Sequence, residues 1–354
     1  MADPQVGDPE GMPLPRPDED GDPAAALEAH QESEARVQAA GALSSAAPAI
    51  QWYPGHIAKA EKALAENLAK VDLVIEVRDA RIPLATGHPR LRRWIGAKPH
   101  LLVLNRRDMV TPAARQTWDA WFRSQGQTPW WCDAKAGTGV KQLQQAAIRA
   151  GEALNARRRG RGMKPRPVRA LMLGFPNVGK SALINRLVRQ KVVESARKAG
   201  VTRSLRWVRL GQDLDLLDAP GVLPPRLDNQ QAALRLALCD DIGQAAYDTE
   251  AVALAFVRLL VALEPVDAAG VEPRLLERRY GMALAPLLMP SGAPAMAASP
   301  DAEAWLAAAA ARHTSGDTLR MAQRVLDDFR RSLLGPIALE LPPGERLASI
   351  RSDG

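Results

Sequence analysis

Cysteine is nearly absent from this chain, which holds only Cys132 and Cys239. Two cysteines cannot build a disulfide framework or a cysteine metal site, so they read as buried apolar side chains in a reducing compartment. Long apolar runs are missing too. The richest, residues 251–263, is broken by Arg258 and falls short of the roughly 18 residues a membrane helix needs. It reads as a buried helix, and no membrane partner is expected. Residues 1–49 contain no aromatic residue and are rich in Pro, Gly, Ala and acids. Such a segment buries too little apolar surface to offset its ordering entropy, so a disordered tail is expected. It also lacks the marks of a secretory signal or an arginine-rich transit peptide, and a cytoplasmic protein is expected. No internal repeat is present.

What the chain does have is charge, unevenly spread. Residues 1–49 hold ten acids and two bases, a net −8, while the whole chain carries +7, so the remainder carries +15. A body this basic suggests a polyanionic partner, with nucleic acid first.

Order is expected to begin near Ile50, with helical spacing over 57–68. Residues 71–77 and 101–104 read as strands, the first buried on both faces. Thr111-Pro112 marks a helix start, because a hydroxyl cap precedes a proline at the first helical position. Residues 140–156 read as one helix, followed by a basic, Gly/Pro-interrupted stretch over 157–169. A strand over 168–173 runs into a helix over 180–187, and strands over 205–210 and 213–217 pair around Gly211. This alternation predicts an α/β domain with a mostly parallel sheet. After about residue 228 strand signals fade, and an all-helical C-terminal domain is predicted, with a loop over 289–300. The expected division is a tail (1–49), an α/β domain (50–227) and a helical domain (228–345).

Gly174-Phe175-Pro176-Asn177-Val178-Gly179-Lys180-Ser181 fits the G-x-x-x-x-G-K-[ST] phosphate loop, with a strand before it and a helix after it. Such a turn aims successive backbone N–H groups at phosphate oxygens. Pro176, Asn177, Val178, Gly179, Lys180, Ser181 and Ala182 would line it. Lys180 would reach the β- and γ-phosphates and Ser181 would bind Mg²⁺. Asp218-Ala219-Pro220-Gly221, 37 residues after Ser181, matches D-x-x-G. There Asp218 would orient Mg²⁺ through water and the Gly221 N–H would meet the γ-phosphate. Between them Thr202 is the natural switch threonine for Mg²⁺, with a solvated loop residue as the plain alternative.

Asn105-Arg106-Arg107-Asp108 matches the base-reading N-K-x-D element with Arg106 in place of lysine. Asp108 can accept from guanine N1–H and the 2-amino group together, a pair of donors adenine lacks, so it would select GTP. Arg106 could cover the base, although arginine and lysine are not interchangeable. Asp133-Ala134-Lys135, 25 residues after Asp108, sits where S-A-K would lie, with the Ala134 N–H facing guanine O6. The order of motifs is reversed relative to an ordinary small GTPase, so the domain reads as a circularly permuted P-loop GTPase.

With these motifs, the chain resembles the circularly permuted GTPases of the ribosome biogenesis GTPase A (YlqF-type) family. Trp52-Tyr53-Pro54-Gly55-His56-Ile57-Ala58-Lys59-Ala60 is similar to that family's W-F-P-G-H-M-x-K-A start. Asp72 to Pro83 is similar to its D-x-x-x-E-x-x-D-A-R-x-P segment, and Asp328-Phe329-Arg330 with Leu334-Gly335 to its D-F-R…L-G close. The resemblance covers about residues 50–341. It implies a monomeric factor that binds GTP/GDP and acts on large ribosomal subunit precursors and rRNA. The sister small-subunit family typically carries an OB-fold and a zinc site, and neither is visible here. A GTP-gated, non-catalytic RNA-binding scaffold is the other alternative.

Val222 follows the D-x-P-G element where a water-orienting glutamine would stand, so slow intrinsic hydrolysis is expected. His56 is the candidate to orient water, because imidazole suits that work near pH 7. A capping or RNA-contacting histidine is the alternative. Asn177 goes with a bound K⁺ in related GTPases. Arg274, Arg278, Arg279, Arg320, Arg324, Arg330 and Arg331 are the helical domain's candidate RNA contacts.

Overall fold

The computed structural model describes residues 66–188, 206–219, 229–284 and 301–343. His56, Thr202, Pro220, Gly221, Val222, the tail over 1–49 and the loop over 289–300 lie outside them.

Six strands form one sheet: β1 (Leu73–Asp79), β2 (His100–Asn105), β3 (Pro129–Cys132), β4 (Val168–Gly174), β5 (Arg206–Leu210) and β6 (Leu214–Asp218), in the order β3-β2-β1-β4-β6-β5. All neighbours are parallel except β5 and β6, which form a hairpin. Gly211 sits in its turn at φ +68°, a conformation that favours glycine. β1 is central, and its Val74, Ile75 and Val77 are fully buried. That explains an apolar run in place of an alternating one.

Helices cover both faces: α1 (Leu91–Ile95), α2 (Pro112–Ser124), α3 (Val140–Ala150), α4 (Glu152–Gly160) and α5 (Lys180–Val188). Thr111 caps α2 as expected, its hydroxyl accepting from the Ala114 N–H at 3.0 Å. The single helix expected over 140–156 is two helices that meet at Gly151. A β-carbon there would lie 1.9 Å from Val168 Cγ2, so only a bare backbone fits where the chain passes the start of β4. α4 then continues to Gly160, inside the stretch expected to be interrupted.

Beyond the sheet come α6 (Gln230–Leu238), α7 (Thr249–Leu263), α8 (Leu275–Tyr280), α9 (Ala302–His313) and α10 (Thr318–Arg330). Asn229, Asp248, Asp301 and Asp317 each accept a backbone N–H at the start of α6, α7, α9 and α10. Such caps contribute about 1 kcal/mol apiece. α10 turns Met321, Val325, Leu326 and Phe329 inward, and one apolar cluster runs from these helices into the sheet. After α10 the chain returns to the sheet. The Leu339 N–H donates to the Arg81 carbonyl at 3.0 Å, and the Glu340 carboxylate accepts from the Leu84 and Ala85 N–H groups at 2.8 and 3.1 Å.

Candidate nucleotide site

All four motif elements with described residues leave the sheet at its carboxyl edge. Asn105 ends β2, Cys132 ends β3 just before Asp133, and Gly174 ends β4. Asp218 ends β6 at the same edge. Open α/β sheets bind ligands at this edge, where the loops diverge.

Asn105 joins three loops. Its Nδ2 donates to the Val178 carbonyl at 2.9 Å, and its Oδ1 accepts from the Ala134 N–H at 3.2 Å. The fully buried side chain therefore fixes the phosphate loop and the second base loop on the base reader. Arg106 stands in a left-handed conformation at φ +65°. Its Nη2 donates to the Asn177 carbonyl at 2.6 Å, and its Nη1 lies 3.4 Å from Asp79 Oδ2. The guanidinium bridges the base reader to the phosphate loop. Asp108 is exposed beside it.

Asp133 in place of serine keeps the second base loop folded. Its Oδ1 accepts from the Lys135 and Ala136 N–H groups at 2.7 and 2.9 Å, closing an Asx turn. Lys135 is exposed, and Ala134 is half-buried.

In the phosphate loop Asn177 and Gly179 have positive φ, +58° and +96°. Asn177 Nδ2 donates to the Asp240 carbonyl at 2.6 Å, so this side chain already has a partner on the helical side. Pro176 and Val178 are buried, and Ser181 and Ala182 are half-buried at the head of α5. Lys180 is buried, with Nζ donating to the Gly174 and Phe175 carbonyls at 3.1 and 2.7 Å. Burial pushes its pKa down to about 8, opposed by the Asp218 and Asp241 carboxylates. Burial raises the Asp218 pKa, and Lys180 opposes it. Asp218 Oδ1 is buried without a hydrogen-bond partner. An orphaned carboxylate oxygen and a serine hydroxyl are hard oxygen donors of the kind Mg²⁺ takes.

Beneath the loops lies a buried charge cluster that motif reading did not place in the site. Arg81, fully buried, forks onto Asp79 with Nε–Oδ1 3.0 Å and Nη2–Oδ2 2.7 Å. The same Nη2 donates to the Cys239 carbonyl at 3.2 Å, and the guanidinium lies 5.1 Å from the Phe329 ring. Burial acts to raise the Asp79 pKa, but Arg81 and Arg106 outweigh it and hold it below the ordinary value. Asp241 is also fully buried, and neither of its oxygens has a hydrogen-bond partner. Burial and the Asp79 charge push its pKa well up. The signal for Asp79 and Arg81 was available, because both fall in the D-x-x-x-E-x-x-D-A-R-x-P pattern of Asp72 to Pro83. Asp241 had no such signal.

The helical segment closes the far wall. A cleft of about 1040 Å³ is lined by Asn105, Asp108 and Lys135 on one side and by Gln244, Asp327 and Arg330 on the other. Arg330 is not free surface. It donates to the Leu238 and Ala237 carbonyls at 3.1 and 2.8 Å, satisfying the end of α6.

Comparisons with known proteins agree with this geometry. The family described as 50S ribosome-binding GTPase matches residues 169–269. The ribosome biogenesis GTPase A of Bacillus pumilus is 36% identical over 211 residues, 60% of this chain and 75% of that protein. That of Priestia megaterium is 37% identical over 234 residues, 66% and 78% of the two chains. Among solved structures, GNP-bound YlqF from T. maritima superposes with a TM-score of 0.51 over 80% of this chain and 98% of that one. At 21% identity it carries the fold alone.

Proposed function

The chain belongs to the ribosome biogenesis GTPase A family, and from that premise we propose that its GTP cycle runs on precursors of the large ribosomal subunit. Membership makes it a GTP-hydrolysing enzyme of ribosome biogenesis. The observation that carries the nucleotide-site reading is Asn105, whose side chain holds base reader, phosphate loop and second base loop together at one sheet edge.

In this reading Asp108 selects guanine, the Ala134 N–H meets O6, and the N–H groups from Asn177 to Ala182 wrap the phosphates. Lys180 leaves the Gly174 and Phe175 carbonyls for phosphate oxygens, a stronger charge-assisted partner. Ser181, Thr202 and Asp218 hold Mg²⁺, which when bound neutralises charge developing on the phosphates. Asn177 would hold K⁺ through its amide oxygen, and the ion would supply charge neutralisation on the phosphates. His56 orients water in place of the apolar Val222. Hydrolysis is slow alone and stimulated by the particle. Residues 50–227 act as the GTP unit and 228–345 as the helical unit. The protein works as a cytoplasmic monomer, and GTP state gates its rRNA binding.

Gating has a physical route. The phosphate loop touches Asp240 through Asn177, and the floor touches Cys239 through Arg81. Both contacts fall at the end of α6, so phosphate occupancy can bias the helical wall.

The test uses the full chain with and without purified large and small ribosomal subunits. Expected are GTP preference over ATP, hydrolysis stimulated by large subunits, and co-sedimentation stronger with a non-hydrolysable GTP analogue than with GDP. Migration with small subunits, or binding without any stimulation, would replace this reading with one of the two rivals.

A further inference from the structure

The helical arginines are largely committed elsewhere. Arg274 pairs with Glu277, Arg278 with Glu272, and Arg279 with Asp328, while Arg330 is bonded to α6 carbonyls. The opposite pattern holds on α4 and the strap leading into β4. Residues 157–169 contain seven bases and no acid. Arg166 is forked onto Asp72 at 2.6 and 2.8 Å. Among the described residues, Arg157, Arg158, Arg159, Arg161, Lys164 and Arg169 have no ion-pair partner.

This strap is fixed. Asn155 donates to the Arg166 carbonyl at 3.0 Å and accepts from its N–H at 3.1 Å. Arg158 Nε donates to the Lys164 carbonyl at 3.1 Å, and the Met163 N–H returns to the Arg158 carbonyl at 2.9 Å. Beside it the Arg169 guanidinium lies 5.8 Å from the ring of Trp207, which is 44% exposed. Arg209 is exposed in the same cross-strand row, with Asp215 between it and Arg169. Nearby acids are Glu152, Asp213 and Asp215, too few to cancel the bases.

We propose that α4, the 161–167 strap and the outer strand β5 form an RNA-binding face separate from the nucleotide cleft. The cations take backbone phosphates, and Trp207 offers its ring to an unpaired base. The inference rests on the ribosomal reading above and adds the surface that meets the RNA. RNA fits better than an anionic membrane, because α4 has no buried or apolar face to insert. Arg169 lies at the start of β4 and Gly174 closes it at the phosphate loop, so this face sits at the other end of the sheet. RNA binding here therefore does not compete with nucleotide.

The experiment compares the full chain with a variant carrying Arg157→Glu, Arg159→Glu, Arg161→Glu and Lys164→Glu. Filter binding to transcribed large-subunit rRNA is read across salt, with fluorescent GDP affinity as the folding control. Expected are at least about tenfold weaker RNA binding and a salt slope shallower by roughly 0.7–0.9 per lost contact, with GDP affinity unchanged. Trp207→Ala weakens binding to single-stranded RNA several-fold at an unchanged salt slope. Wild-type RNA affinity and slope in the quadruple variant overturn the proposal. So does a wild-type chain that binds phosphatidylserine vesicles and not RNA. If wild-type chain ignores ribosomal subunits, the ribosomal reading fails. If both chains co-sediment equally, only this face fails. Should the variant lose GDP affinity, Arg157→Gln with Arg161→Gln carries the same test with an expected slope change half as large.

Discussion

A β-carbon placed on Gly179 would lie 2.2 Å from Asn105 Nδ2, although the two residues are 74 positions apart. The phosphate loop thus passes the base reader with room for no side chain, and it does so at φ +96°. Gly179→Ala must displace Asn105 and strain the backbone, at about 1–3 kcal/mol. The expected outcome is GDP affinity reduced at least about tenfold, with a lower urea midpoint. Unchanged affinity would mean the three-loop junction is not needed for binding.

Asp108 is exposed at the cleft, where the proposed function has it accept from guanine. A hydrogen bond to a charged group is worth roughly 1.5–3 kcal/mol, about tenfold or more in affinity. Asp108→Ala is expected to weaken GDP binding by that factor. Inosine diphosphate lacks the 2-amino donor, so wild type should bind it more weakly than GDP and the variant should not discriminate. Competition titration reads both.

His56 and K⁺ are tested on hydrolysis. His56→Ala is expected to lower subunit-stimulated turnover about 10²-fold or more while GTP affinity stays unchanged. Replacing K⁺ by Na⁺ should slow wild type, and Asn177→Ala should remove the difference between the two ions. Equal rates in both ions for wild type would dismiss K⁺, and normal stimulated turnover in His56→Ala would dismiss the histidine.

Asp241 is a buried acid whose folded pKa lies well above its ordinary value of 3.8. The native state then holds more protons than the unfolded state once pH exceeds that value, so this group's contribution to stability falls as pH rises. Below about pH 4 both states are protonated and the penalty vanishes. Asp241→Asn removes the titration. Its stability relative to wild type should therefore rise from pH 5 to pH 8 in urea unfolding, and a flat difference would show that Asp241 does not carry the proton.

Glu340 ties the chain's return segment to the loop after β1, its buried carboxylate accepting two backbone N–H groups. Glu340→Ala leaves both donors unmet, at about 1–3 kcal/mol. Urea unfolding should show that loss, with GDP affinity far less affected than by Gly179→Ala, because Glu340 lies outside the cleft lining.

Local chemistry wrote much of this into the sequence. Thr111-Pro112 starts α2 because a hydroxyl cap and a fixed proline φ act within one turn. The apolar run of β1 announced a central strand. The phosphate-loop and base-reader motifs stand out because phosphate and guanine demand fixed residue types at fixed spacing. One local reading missed a break. α3 and α4 meet at Gly151, where a side chain would strike Val168, a residue distant in sequence. The helical arginines look alike in a sequence, yet Arg279 and Arg330 have internal partners.

By itself, then, the sequence determined the class of ligand, the order of the motifs and the type of the main elements of the sheet domain, since those depend on neighbouring residues. Tertiary structure alone decided that Asn105 would join three loops, and that Arg81 would link Asp79 to the end of α6. It also left Asp241 buried without a hydrogen-bond partner and the α4 bases without acids. These are pairings across the sheet and between strands far apart in the chain. Spacing along one strand or helix carries no record of them.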